Sequence, residues 1–105
     1  MLLTTSDEIP GKKITKTLGL VRGNTIRARW FGRDIMATFK QIIGGEIKSY
    51  TQMLNTARDE ATQRMVKDAK KLKADAIVCV RYITAEVMQG AAEILAYGTA
   101  VKLKK

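Results

Sequence analysis

Between Gly45 and Lys73 the apolar side chains recur at three- and four-residue steps: Ile47, Tyr50, Leu54, Ala57, Ala61, Met65, Ala69 and Leu72. That spacing stacks them on one side of a helix. Lys48, Gln52, Asn55, Arg58, Asp59, Gln63, Arg64, Lys67, Asp68, Lys70 and Lys71 take the other side. Gly44-Gly45 ends the preceding apolar run, and Glu46 then stands near the positive end of the helix dipole. The break between two helical runs predicts a left-handed backbone at Gly45. Roughly 27 residues of helix span about 40 Å, so the rest of the chain is expected to cover one long apolar stripe.

Around this helix the period is two. Leu2 to Thr5 reads as a short strand, and Ser6 to Gly11, with its single proline, as a turn. Ile14, Leu18 and Leu20 alternate with Thr15, Thr17 and Gly19. Arg22-Gly23-Asn24 interrupts the pattern as a bulge or turn before Ile26, Ala28 and Trp30 resume it. Ile35, Phe39, Ile42 and Ile43 return to helical spacing and predict a short helix over 31–43.

Beyond the long helix, residues 76–83 form the clearest strand, residues 85–91 a loop, and residues 92–103 a returning strand. A hairpin centred near Val87 would set Arg81 opposite Glu93. One face of this hairpin carries Ala92, Ile94, Ala96, Gly98 and Ala100, small enough for a helix to approach. The other carries Leu95, Tyr97, Val101 and Leu103 beside Ile77 and Cys79. Both faces are largely apolar, and a chain of 105 residues with one long helix does not cover both. Self-association is the economical consequence.

Composition narrows the chemistry. One domain, residues 1–105, suits the length, and no apolar run reaches the length of a membrane span. The start of the chain lacks the basic and long apolar regions of a signal peptide. The single cysteine, Cys79, precludes an intrachain disulfide, which fits a reducing cytoplasm. There is no histidine, so histidine-based triads and most zinc and copper sites are excluded. The methionines read as core filler. No phosphate-loop spacing of glycines occurs. The net charge of +9 is spread along the chain. Its most suggestive cluster, Arg27, Arg29 and Arg33 around Trp30 and Phe31, is the alternative, nucleic-acid-binding reading. The candidates for a ligand site are Arg81, Glu93, Glu46 and Tyr97: charged or hydroxyl-bearing groups near apolar walls or a helix start.

Gly19-Leu20-Val21-Arg22-Gly23, Arg33-Asp34, Gly44-Gly45-Glu46, Arg58-Asp59, Ala74-Asp75-Ala76 and Ala96-Tyr97-Gly98-Thr99-Ala100-Val101 together resemble the YbjQ-like family. These motifs span nearly the whole chain in order. The family carries a heavy-metal-binding label and no established biochemical activity. The resemblance implies an α+β, two-layer domain similar to a dodecin subunit, with the long helix and a short one packed on an antiparallel sheet, assembling as a ring-shaped homopentamer. With only Cys79 as a soft ligand, a metal site would need carboxylates or one residue from each of several subunits. The expected protein is therefore a cytoplasmic, non-enzymatic homo-oligomer that binds a metal ion or small ligand, independent of membranes.

Overall fold

The computed structural model describes residues 1–27, 45–88 and 91–105. One long helix, α1 (Gly45–Lys71), packs on a sheet of β1 (Leu2–Leu3), β2 (Ile14–Arg27), β3 (Ala76–Met88) and β4 (Ala91–Leu103). The strand order is β1-β3-β4-β2. β4 is antiparallel to both neighbours, but β1 runs parallel to β3, so the sheet is mixed rather than antiparallel. The helix predicted over 31–43 lies outside the described residues.

The helix forms where its period placed it. Ala57, Ala61, Met65 and Ala69 are fully buried, while Leu72, beyond the last turn, is largely exposed. Gly45 is the helix's first residue and not a left-handed hinge before it. At the other end Lys73 takes φ 61°, and Leu72, Lys73 and Ala74 donate their N–H groups to Ala69, Lys70 and Ala69 carbonyls. The left-handed residue thus turns the chain while satisfying the final carbonyls. Lys102 Nζ donates to the Lys73 carbonyl at 2.8 Å. The Asp75 carboxylate accepts from the Leu103 N–H, also at 2.8 Å, which ties the turn to β4.

The helix-facing side of the sheet is made of Val21, Ile77, Val80, Ile94, Ala96 and Ala100. Gly23 lies directly beneath α1. A Cβ there would stand 2.7 Å from the backbone carbon of Arg64 and closer still to Ala61 O and Met65 N. The sequence marks Gly23 as an interruption, yet β2 runs through it without a break, and its irregularities fall at Ile14–Lys16 and Thr17–Gly19. Its glycine serves close approach, not a turn.

A second, smaller core lies on the sheet's other side at one end. Ala76, Val78 and Val101 pack there with Ile9, Ile14, Cys79 and Leu103. Ile77 is not part of it. It pairs with Ala100 and belongs to the core under the helix, which corrects the face expected for it.

Candidate functional site on the open sheet face

Away from that small core, no described element covers the sheet face opposite α1. Its rows follow from the strand register. Arg81, Tyr97 and Arg22 stand abreast across β3, β4 and β2; Ile83, Leu95 and Asn24 form the next row; Ala85, Glu93 and Ile26 the one after. Leu20, Ile26 and Ile83 are 67%, 58% and 48% exposed, and Leu95 and Tyr97 are half-buried among them.

Arg81 does not face Glu93. The hairpin turns later than expected: strand pairing continues to Met88 opposite Ala91, where a loop over 85–91 was anticipated. The register also slips between Val78 and Arg81, where Cys79 and Val80 together oppose Gly98. Cys79 has φ 57°, the left-handed conformation that accommodates such a bulge. Arg81 therefore lies opposite Tyr97, and Glu93 opposite Ala85 and Ile26. The arginine's Nη1 donates to the carbonyls of Thr5 and Val80 at 2.8 and 2.9 Å, pinning the N-terminal segment to the bulge. Glu93 instead accepts from Asn24 Nδ2 at 2.9 Å. Each charge has its own polar partner, so the expected cross-strand ion pair is replaced by two separate anchors.

Three of the four ligand candidates, Arg81, Tyr97 and Glu93, do share this face, two rows apart at most. Glu46 lies in the first turn of α1, and its side chain is outside the described residues. Arg29 and Arg33 fall outside them too. Arg27 ends β2, with only its backbone described. Two residues that sequence reasoning passed over belong to the face: Arg22, which completes the Arg–Tyr–Arg row, and Asn24, which holds Glu93. The signal for both was the uninterrupted alternation of β2 through Gly23.

The edge of β2 is closed by the helix. Asp68 Oδ2 accepts from the Arg22 N–H at 3.2 Å, and Arg64 Nη1 donates to the Asn24 carbonyl at 2.5 Å. Arg64 and Asp68, one helical turn apart, thereby occupy backbone groups that another strand would use.

No three of histidine, cysteine, aspartate and glutamate come together among the described residues. Cys79 is half-buried against apolar neighbours. The carboxylates of Asp68, Asp75 and Glu93 each accept a hydrogen bond from the protein itself. The segment 28–44 contains neither histidine nor cysteine. The donors among the described residues do not come together as a heavy-metal site.

Comparison with known proteins places the chain. A family model described as "Putative heavy-metal-binding" matches residues 1–104. The chain belongs to the YbjQ-like family. YbjQ-like relatives bearing the name UPF0145 protein include one from Methanosarcina acetivorans, 56% identical over 103 residues, covering 98% of this chain and 97% of the relative. Another, from Thermotoga maritima, is 53% identical over 105 residues, covering 100% and 99%. A third, from Archaeoglobus fulgidus, is 54% identical over 104 residues, covering 99% and 96%. A crystal structure of a protein of unknown function from Pediococcus pentosaceus, assigned to the DUF74 family, superposes with a TM-score of 0.64. It is 22% identical and the match covers 99% of this chain and 98% of that one, so the likeness bears on the fold alone.

Proposed function

We propose that this YbjQ-like chain is a non-enzymatic cytoplasmic subunit of a homo-oligomer, a ring of five, which holds a metal ion or small ligand between subunits. The observation that carries the reading is the open apolar face around Leu20, Ile26, Ile83, Leu95 and Tyr97. A patch this apolar in a chain of +9 charge is a contact surface, because leaving it in water forgoes about 25 cal/mol for each square ångström. Arg81, Tyr97 and Glu93 supply its polar groups, the few oriented contacts that a ligand between apolar walls requires. A metal ion would need donors from more than one subunit, Cys79 or carboxylates contributed singly by each.

Light scattering at micromolar concentration tests the reading. The expected mass is a multiple of the 11.7 kDa of one chain, five for the ring. A monomer at every concentration would refute it. A ligand retained between subunits should appear in native mass spectra of the untreated oligomer.

A second reading, association with nucleic acid, rests on one observation. Arg22 and Arg81 flank Tyr97 on the same open face, the combination of stacking ring and cations that single strands use. The sequence adds Arg27, Arg29 and Arg33 as further candidates. Oligonucleotide binding that falls steeply with salt and is lost in Arg22→Ala would support it. Binding unaffected by salt would dismiss it.

A further inference from the structure

We propose that the end of the molecule where α1 stops and β2 starts is a basic platform that binds the phosphate backbone of nucleic acid without regard to sequence. The inference rests on the nucleic-acid reading above for its partner, but it places that partner on a different surface from the row of Arg22, Tyr97 and Arg81.

Along the chain the lysines are dispersed, and the fold collects them. Residues 12–16, 70–73 and 102–105 hold three lysines each. The start of β2 pairs with the end of β4, Ile14 with Leu103 and Lys16 with Lys102. The Lys104 N–H donates to the Lys13 carbonyl at 2.8 Å, and Lys102 Nζ reaches the Lys73 carbonyl, just past α1, also at 2.8 Å. Three segments distant in sequence are thus sewn together at one end, bringing nine of the chain's 19 lysines and arginines with them. At the opposite end the hairpin from Arg81 to Glu93 carries one arginine and two glutamates. The charge of the described residues is therefore polarised along the sheet, which steers a polyanion to one end.

These lysines are free to meet a partner. Eight of the nine are exposed, and half-buried Lys102 is the one whose side chain is bonded among the described residues. Of the carboxylates nearby, those of Asp75 and Asp68 accept from the Leu103 and Arg22 N–H groups. Asp7 and Glu8 stand in the turn before Lys12, and the lysines outnumber all four by more than two to one. Lys70 and Lys71 also offset the negative end of the helix dipole, which gives them a structural role. That role does not extend to the lysines of β2 and β4. Lys16 stands directly opposite Lys102, a like-charge pair that costs the sheet stability and that an anion lying across it would relieve.

The use of lysine alone selects the partner. The three segments contain no arginine and no aromatic residue, so nothing in them forks onto a base edge or stacks on a base. Point charges suffice for the phosphate backbone, because counterion release supplies essentially all of non-specific binding. They do not suffice for a lipid surface, where stable docking needs an apolar anchor besides a basic patch. Met1, Leu2 and Leu72 are exposed at this end, but they come from two separate segments and make no amphipathic helix.

Fluorescence anisotropy with a labelled DNA duplex of arbitrary sequence tests the proposal. With about four phosphates neutralised, affinity should fall roughly a hundredfold between about 50 and 200 mM salt. Lys13→Glu and Lys71→Glu, on different segments, should each keep the wild-type circular dichroism, weaken binding about tenfold and lower the salt slope by about one. Arg58→Glu makes the same change of charge at an exposed position of α1, about 20 Å from Lys71 by helical rise, and should stay within about twofold of wild type. A loss in Arg58→Glu equal to that in Lys71→Glu would mean that net charge alone acts, and it overturns the proposal. Folded lysine variants that bind like wild type overturn it as well, and should one of them fail to fold, the other decides. Wild-type protein that ignores the duplex but sediments with phosphatidylserine vesicles overturns it in favour of a lipid surface. Binding lost in Arg22→Ala and kept in both lysine variants overturns it while leaving the arginine-row reading standing. A wild type with no salt-dependent binding overturns both.

Discussion

Gly23→Ala is the substitution whose effect can be worked most directly from the geometry. The added methyl would stand 2.7 Å from the Arg64 backbone carbon, nearer still to Ala61 O and Met65 N. All three atoms belong to the helix backbone, so no side chain can rotate away. The backbone of Gly23 is not left-handed, so alanine meets no conformational penalty of its own. Ordinary carbon contacts are about 3.5–4.0 Å, and α1 must therefore lift by about 1 Å. A gap of that size forfeits roughly a quarter to a half of each contact energy along the buried stripe of Ala57, Ala61, Met65 and Ala69. Overpacking of this kind costs about 1–3 kcal/mol. Stretching the Arg64 and Asp68 bonds to the β2 edge adds about 0.5–1.5 kcal/mol each. The stiffer unfolded chain returns about 0.4–1 kcal/mol. The net loss is about 2–4 kcal/mol out of a stability of about 5–15 kcal/mol, a fall of roughly 10–30 °C in Tm. Thermal and urea melts measure it. A Gly23→Ala protein that melts like wild type would refute the argument. So would its rescue by Met65→Ala, since truncating a side chain cannot relieve a clash with backbone.

Gly98→Ala should cost less than Gly23→Ala in the same melts, because of the three atoms nearest its methyl only the Val78 carbonyl oxygen, at 3.0 Å, is backbone, the others being side-chain methyls of Ile77 and Val80 at 2.7 and 3.4 Å. Thr25→Val should stabilise by about 0.5–1.5 kcal/mol, measured by urea unfolding, since the Thr25 hydroxyl is buried with no hydrogen-bond partner. A double-mutant cycle on Arg81→Met and Glu93→Gln should give coupling within about 0.3–0.5 kcal/mol of zero, as the two groups have separate partners, whereas Asn24→Ala with Glu93→Gln should couple measurably. Elemental analysis after dialysis should find well under one equivalent of zinc or copper per chain, because the chain has no histidine and one cysteine and no three donors come together among the described residues.

The elements were more legible than their register. The run from Ala57 to Ala69 repeats at four residues and can be satisfied only by a helix against a close floor, and the small residues Ala96, Gly98 and Ala100 announced that floor. The face carrying Leu95 and Tyr97 was equally plain from alternation. The bulge at Cys79–Val80 left no trace, since neither glycine nor proline marks it and the left-handed residue is a cysteine. That one unmarked extra residue moved Ile77 to the other core, while the later turn of the hairpin moved Arg81 from Glu93 to Tyr97. Gly23 was misread for the converse reason: a glycine in a strand signals a turn and a close approach alike, and only tertiary contact separates them. The parallel pairing of β1 was equally hidden, because two residues of strand carry no directional pattern.

The pairing of β2 with β4 joins Ile14 to Leu103 and Arg27 to Ala92, residues from opposite ends of the sequence. The helix is made between them and rests mainly on β2, whose only described strand neighbour is β4. During synthesis, α1 and β2 therefore appear before the strand that gives β2 its place. Folding must close a loop of nearly the whole chain before the ladder between β2 and β4 can form, and such non-local pairing slows the search to roughly milliseconds or seconds. Throughout that interval the alanine stripe of α1 and both faces of β3 stand uncovered. The completion of β4 is thus the committing event, and substitutions between Ala96 and Val101 should be read first in the folding rate.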